Sequence, residues 1–295
     1  MVDFSQVTGI LLGSSVVEQI ANSQGVVLWK KTGDEPETDS YFYVEDISGS
    51  DITLSIKKSY SSAPTITVFK STDSTNWESM GSTSTTAITA TIPANSKLYL
   101  KANINSWYYG SYINYITASG NHNVGGNIMS LLYGDNFQGQ TTFPSGSKYN
   151  FQYLFSGDLK LVSASKLTLP ATALTEHCYE CMFQNCTSLT TAPALPATTL
   201  TSSCYNSMFK GCSSLTTAPA LPATTLDIGS YYNMFYGCNN LRKVTVYAVD
   251  ISAIDCLYNW LYGVSSTGDF YNLGGASYRS GASGIPSGWT EHTSL

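Results

Sequence analysis

The chain has 295 residues, enough for two or three domains, and 12% of them are charged, against the ~25% usual for globular proteins. A net charge of −6 and a pI near 5.0 argue against a nucleic-acid partner, because phosphate binding needs clustered Lys and Arg. The 42% hydrophobic share argues against disorder, and no apolar run approaches the ~20 residues of a membrane span, so we expect no membrane insertion.

The composition predicts a surface that is polar through hydroxyl groups, because Ser and Thr are frequent and 21 residues are tyrosines. Such a surface is typical of secreted and virion-surface β proteins. The sequence has no Gly-x-Ser-x-Gly elbow, His-Glu-x-x-His, P-loop or Gly-x-Gly-x-x-Gly, and His122, His177 and His292 lie in different segments. We therefore predict a protein that is not an enzyme and that uses no cofactor.

Residues 1–37 are predicted to form an N-terminal β attachment module and a linker. The runs 10–20 and 25–29 indicate strands around a turn at 22–25, and the acidic segment 32–39 is typical of a linker. The start of the chain lacks the basic and apolar regions of a Sec signal peptide. We therefore expect a surface protein that leaves its cell by another route, such as assembly into a phage particle released by lysis.

Residues 38–149 are predicted to form an antiparallel β-sandwich. Short alternating runs are separated by Ser, Gly, Asn, Asp and Pro, which is the spacing of strands and turns in such a domain. The runs are 41–45, 52–57, 65–70, 87–92, 97–102 and 112–117. The segment 71–77 resembles the Asp-box hairpin of sialidase-like β proteins, but it lacks the glycine of that motif, so we interpret it only as a structural turn.

An aromatic cluster stands beside the last of these strand candidates. Its members are Trp107, Tyr108, Tyr109 and Tyr112. Flat aromatic surfaces bind sugar rings by apolar stacking, and tyrosine adds a hydroxyl at a low entropic cost. Packing against a neighbouring domain or chain would explain the same residues. Both interpretations stay open, and these four residues are the ligand-binding candidates of the sequence.

Residues 150–263 are predicted to be repeats with a period of 26 residues. A Leu-Pro-Ala-Thr motif, a Met-Phe pair and a cysteine each recur three times. They begin at Leu169, Leu195 and Leu221, at Met182, Met208 and Met234, and at Cys186, Cys212 and Cys238. One further step reaches Trp260 and Gly263, so a degenerate unit follows. Phe155 lies 28 residues before Phe183, so another degenerate unit precedes them.

Each unit is predicted to contain a short helix and a short extended segment. Residues 203–212 place four apolar side chains on one helical face. These side chains are Tyr205, Met208, Phe209 and Cys212. Residues 215–220 are expected to be extended, because a proline disfavours the helical conformation in the residue before it. Neither piece buries its apolar face alone, so stacked units with continuous core ladders are expected.

The unit from Leu195 to Ala220, LPATTLTSSCYNSMFKGCSSLTTAPA, resembles the BspA-like leucine-rich repeat family. Proteins of this family occur on the surface of gut Bacteroidetes and in the phages that infect these bacteria. The resemblance covers residues 150–265 and implies a right-handed strand-and-helix solenoid that contacts proteins or glycans without catalysis. Residues 10–29 are also similar to the opening of virion proteins of gut phages.

The seven cysteines are interpreted mainly as core residues, because three of them recur with the repeat period. Cys178 and Cys181 form one Cys-x-x-Cys spacing, but a zinc site needs a second pair or nearby histidines, so we expect no metal site. Disulfides are a weaker alternative, because the number of cysteines is odd.

Two other groups of residues have both a structural and a functional interpretation. Tyr179, Tyr205 and Tyr231 share the helical phase of Met and Phe, which favours the core or its rim over a glycan platform. Residues 135–136 and Asp158 would provide calcium ligands, but no Asp-x-Asp-x-Asp-Gly loop is present.

Residues 264–295 are predicted to be a C-terminal cap, in which Tyr271, Tyr278 and Trp289 shield the open edge of the core. The fold class is then mainly β and multidomain. It comprises an N-terminal β attachment module, an antiparallel β-sandwich and a C-terminal strand-helix leucine-rich-repeat solenoid.

We expect a virion structural protein of a bacteriophage, such as a head or tail fibre or a decoration protein. It would display the repeats on the virion surface, outside the cell after lysis, to bind a bacterial surface glycan or protein. Other virion proteins would hold the N-terminal module, and analogy with fibres favours a homo-oligomer, a trimer. Two alternatives stay open: a BspA-like adhesin of the bacterial cell surface, and a carbohydrate-active enzyme with a repeat appendage.

Overall fold

The computed structural model describes residues 19–21, 27–30, 37–58, 65–102 and 114–295. The chain divides into two compact units, residues 1–35 and 36–295. The described residues form a mainly β protein with several sheets, as expected. Within residues 1–35, β1 (Gln19–Ala21) and β2 (Val27–Lys30) are paired in antiparallel fashion, one before and one after the predicted turn.

The described residues from 37 to 127 form eight strands in two sheets. They are β3 (Tyr43–Asp46), β4 (Ile52–Lys58), β5 (Thr67–Ser71), β6 (Glu78–Ser82), β7 (Ile88–Ile92), β8 (Lys97–Ala102), β9 (Asn114–Ala118) and β10 (His122–Asn127). One sheet has the order β7-β4-β9, and β10-β3-β8-β5-β6 are consecutive neighbours in the other. All pairings among these strands are antiparallel. Each of the six runs predicted from the sequence overlaps one of these strands.

The alternation of side chains along the strands explains where the core lies. In β4, Ile52, Leu54 and Ile56 are buried, whereas Thr53 and Lys57 are exposed. This is the two-residue period of a strand with one covered face. Buried residues of both sheets belong to a single apolar cluster, and this cluster continues into the repeats.

A parallel strand pair joins the repeats to the larger sheet, and we call it the seam. It consists of β10 and β11 (Leu161–Thr168). On the other side of β10 the backbone closely approaches the segment before β3, since a Cβ at Gly126 would lie 2.0 Å from the carbonyl oxygen of Tyr41. Beside the seam, His122 Nε2 lies 3.3 Å from Asp158 Oδ2, and both side chains are buried. The first unit of the repeats therefore has no free edge on this side.

Successive units hydrogen-bond to one another in the register of the 26-residue period. The amide N–H groups of four phenylalanines donate to carbonyl oxygens of the next unit, each at 2.9 Å. The pairs are Phe155–Met182, Phe183–Met208, Phe209–Met234 and Phe235–Trp260. The first and last pairs involve the degenerate units, so the alignment of these units is confirmed. Parallel bridges link the extended segments in the same direction, as between Ala173 and Thr199.

Buried aromatic rings form two continuous columns through the stacked units. One column consists of Phe155, Phe183, Phe209 and Phe235, with centroids 5.3, 5.5 and 5.6 Å apart. The other consists of Tyr179, Tyr205, Tyr231 and Trp260, with centroids 5.8, 6.3 and 6.4 Å apart. Every one of these rings is at most 2% exposed. The predicted core ladders are therefore present.

The helix predicted in residues 203–212 is wrong, because this segment consists of consecutive turns. The N–H of Met208 donates to the carbonyl of Tyr205 in its own unit, but the N–H of Phe209 donates to Met234 in the next unit. Alternate N–H groups thus leave the unit, and the i→i−4 bonds of an α-helix cannot form. Tyr205 also has a positive φ of 63°, which ends any helical run.

Residues 264–295 cover the last unit. Three strands, β12 (Lys243–Val246), β13 (Gly268–Asn272) and β14 (Trp289–His292), form a parallel sheet. The ring of Tyr278 stacks on Trp260 at 6.2 Å, and Phe270 meets Trp260 edge-on at 6.0 Å. The last indole of the core column is fully buried as a result.

The Phe column predicts a large loss of stability for Phe209→Ala. We expect a loss of about 3–5 kcal/mol in the free energy of unfolding, because a buried ring is removed between two stacked neighbours. Lys210→Ala is the control, since Lys210 is partly exposed, and its change should stay within about 1 kcal/mol. Urea unfolding of both variants measures this difference, and equal losses would contradict the assigned core.

A second prediction concerns the turn position at Gly237, where φ is +73°. Gly237→Ala should destabilise the protein by about 1–2 kcal/mol, because an L-residue disfavours the left-handed region. The added Cβ meets no atom closer than 3.9 Å, so a clash does not contribute. Asn185 stands at the equivalent position with φ +60°, and Asn185→Gly should change stability by less than about 1 kcal/mol. A loss in Asn185→Gly as large as that in Gly237→Ala, seen in thermal unfolding, would refute this account.

Candidate functional site

The ligand-binding residues predicted from the sequence lie outside the described residues. They are Trp107, Tyr108, Tyr109 and Tyr112, in the connection between β8 and β9. The glycan-stacking and packing interpretations of this cluster both stay predictions.

The repeat tyrosines Tyr179, Tyr205 and Tyr231 are core residues, as the helical phase predicted. Burial raises the pKa of each phenol well above its usual value. Since these rings face inward, they offer no platform to a ligand.

Four other tyrosines form an exposed surface on the turn side of the last two units, and we call this surface the tyrosine ladder. Tyr232 stacks on Tyr258 with centroids 4.8 Å apart, and Tyr236 stacks on Tyr262 with centroids 4.9 Å apart. Tyr258 is 45% exposed and Tyr262 is 50% exposed. The ladder thus consists of two stacked pairs, each joining equivalent positions of neighbouring units.

Analysis of the sequence missed the tyrosine ladder, although a signal was present. The position occupied by Tyr232 and Tyr258 holds Glu180 and Asn206 in the earlier units. Polar residues at this position in two units predict that the position lies at the surface in all of them, because stacked units place equivalent residues on the same side. Aromatic residues at such a position are therefore exposed, and they occur only in the last two units.

The ladder is bordered by further unusual groups. Lys210 Nζ lies 5.2 Å from the centroid of the Tyr236 ring, in a cation–π arrangement. Ile228 and Ile254, at equivalent positions of neighbouring units, are 49% and 70% exposed. Exposed apolar residues that adjoin one another are typical of a binding surface.

An open cleft of about 570 Å³ adjoins the ladder at Tyr258. Its walls come from the last unit and from the cap. They include Ile254, Asp255, Tyr258, Ser277, Arg279 and Ser283. This volume lies in the range of about 300–1,000 Å³ that is usual for small-ligand sites.

The two charged residues of the cleft are not neutralised by protein groups. Within the described residues, neither the Arg279 guanidinium nor the Asp255 carboxylate forms an ion pair or a side-chain hydrogen bond. Both residues are exposed. Ser283 Oγ accepts a hydrogen bond from the Asn259 amide at 2.9 Å, which leaves its own O–H free to donate.

A second pocket, of about 340 Å³, lies beside β8, and its charged lining residues contact one another. Lys101 Nζ lies 4.2 Å from the Trp77 ring and 2.6 Å from Asp135 Oδ1. Hydrogen bonds from Lys101 and Tyr41 hold the pKa of Asp135 below its usual range. Asp158, the other carboxylate considered as a calcium ligand, faces His122. Both carboxylates therefore have other partners.

The three histidines each contact a different carboxylate in a different part of the chain. The pairs are His122–Asp158, His177–Glu180 and His292–Asp269. Burial raises the pKa of Glu180. The histidines are thus not brought together into one site.

The cysteines are core residues, and all seven are buried and free. The thiols of Cys186, Cys212 and Cys238 each donate to a phenylalanine carbonyl of the preceding unit at 3.0 Å. Burial raises the pKa of Cys204 and of Cys238 to about 12. The interpretation of the cysteines as packing residues is confirmed.

This arrangement predicts that the native thiols react slowly with a disulfide reagent at about pH 8, because burial keeps them protonated and inaccessible. After unfolding in guanidinium chloride without reductant, all seven thiols should react. A colorimetric thiol titration of native and unfolded protein measures both values. Fewer than seven thiols in the unfolded chain would reveal a disulfide and contradict this assignment.

Comparison of the chain with protein-family models, with curated proteins and with solved structures finds no match. Within the described ranges, no helix is long and apolar enough to cross a membrane. The same ranges contain no cluster of three or more His, Cys, Asp or Glu that could hold a metal ion. The tyrosine ladder and its cleft are therefore the candidate functional site.

Proposed function

We propose that this chain is a binding protein of a bacteriophage virion, a fibre or decoration protein. Residues 150–263 form a leucine-rich-repeat solenoid of the BspA-like type, which displays a ligand-binding surface. The exposed tyrosine ladder with its cleft carries this proposal. Aromatic residues that are exposed in an otherwise polar surface reduce solubility without improving the core, so a binding role explains them.

The position of the ladder supports a display function. The seam attaches the first unit to the larger sheet, whereas the ladder and the cleft occupy the last units of the stack. In this proposal the stack holds the ligand away from the seam. The N-terminal module, residues 1–37, would bind other virion proteins, and the assembly is a homo-oligomer.

The hydroxyl-rich, weakly charged surface supports a place outside the cell. Only 12% of the residues are charged, while 21 are tyrosines. Such a surface makes few non-specific ionic contacts with a charged bacterial envelope, so binding depends on the ladder and the cleft. The protein binds in this proposal and does not catalyse.

Immunogold electron microscopy of purified phage from the source culture tests the virion assignment. An antibody against residues 150–295 should label the particles, and its position on head or tail would separate decoration from adsorption. The same antibody absorbed with the purified chain is the control. Label on bacterial envelopes with unlabelled particles would reject the virion assignment in favour of a cell-surface adhesin.

A further inference from the structure

We infer that the cleft at Tyr258 binds an oligosaccharide, with one sugar ring stacked on the free face of this tyrosine. The inference rests on the proposed function, because it names the ligand class of the same surface. It follows from three observations: the ring face of Tyr258 that Tyr232 does not cover, the unpaired polar groups around it, and a second exposed, stacked tyrosine in the same unit.

The ring of Tyr258 has one covered and one available face. Tyr232 stacks on one face at 4.8 Å. The segment that follows in the stack is Gly281–Gly284, which contributes only short side chains, Ala282 and Ser283. Tyr258 therefore lines the cleft and remains 45% exposed. Its stacked partner fixes the ring, so little conformational entropy is lost when a ligand covers the other face.

The polar groups around this ring match the rim of a sugar. A pyranose has an apolar C–H face and a periphery of hydroxyl groups that donate and accept. In the cleft, Arg279 supplies donors, Asp255 supplies acceptors, and the hydroxyls of Ser277 and Ser283 do both. A wholly apolar ligand would leave both charges desolvated without partners, and a simple anion would be repelled by Asp255.

A second exposed tyrosine in the same unit favours a chain of sugars over a single one. Tyr262 lies four residues after Tyr258 in the same unit and is 50% exposed. The stacked pair Tyr236–Tyr262 holds it in a fixed orientation, as Tyr232 does for Tyr258. A ring bound in the cleft can thus be linked to a second ring that contacts Tyr262.

Affinity electrophoresis of the full chain tests this inference. Native gels contain one soluble polysaccharide each: mannan, xylan, polygalacturonate or gastric mucin. Retardation of the wild-type chain is expected in at least one gel. Tyr258→Ala should raise the dissociation constant by about tenfold or more, Arg279→Ala should also weaken retardation, and Tyr258→Phe should retain most of it because the ring is kept.

Tyr247→Ala is the matched control, because Tyr247 is an exposed tyrosine (37%) that does not line this cleft. It should bind as the wild type does, and thermal unfolding checks that all variants fold. No retardation of the wild type in any gel, or equal retardation of Tyr258→Ala and the wild type, would overturn the inference. If the antibody labels virions but no gel retards the chain, only the oligosaccharide ligand is rejected. If a gel retards the chain but virions carry no label, only the virion assignment is rejected.

Discussion

The hydrogen bonds between successive units determine the rest of the repeat structure. Because alternate N–H groups donate to the next unit, every residue is aligned with its equivalent in the neighbouring repeat. The inward phenylalanines and cysteines then form columns, and the outward tyrosines form stacked pairs. The same register thus produces both the core and the candidate binding surface, so the surface is as well ordered as the backbone that carries it.

The sequence predicted which residues of each unit are buried but not how the backbone reaches that arrangement. Tyr205, Met208, Phe209 and Cys212 follow a helical spacing, and all of them are buried. The spacing reports side-chain direction only. The spacing contains no information on backbone N–H groups that donate to another unit. Because alternate N–H groups do so, the segment forms turns instead of a helix. A local pattern therefore identifies the core of a repeat protein more reliably than its secondary structure.

The other differences have equally local causes. All six predicted strands of the sheets exist, because their apolar residues alternate, but β6 and β10 were not predicted. β6 is an edge strand without a buried face, and β10 contains two glycines, which are weak strand formers. The tyrosine ladder could not be predicted from the core pattern, because each of its members is next in sequence to a buried residue of that pattern, as Tyr232 is to Tyr231.

The seam gives the architecture a direction of growth. Because the first unit is closed against β10, duplication of a unit in the middle of the stack leaves that junction and the terminal cleft unchanged. Each added unit would carry the cleft outward by about 4.8 Å, the spacing of neighbouring strands. The distance between the seam and the terminal cleft can therefore increase by simple duplication, without any change in the residues that line the cleft.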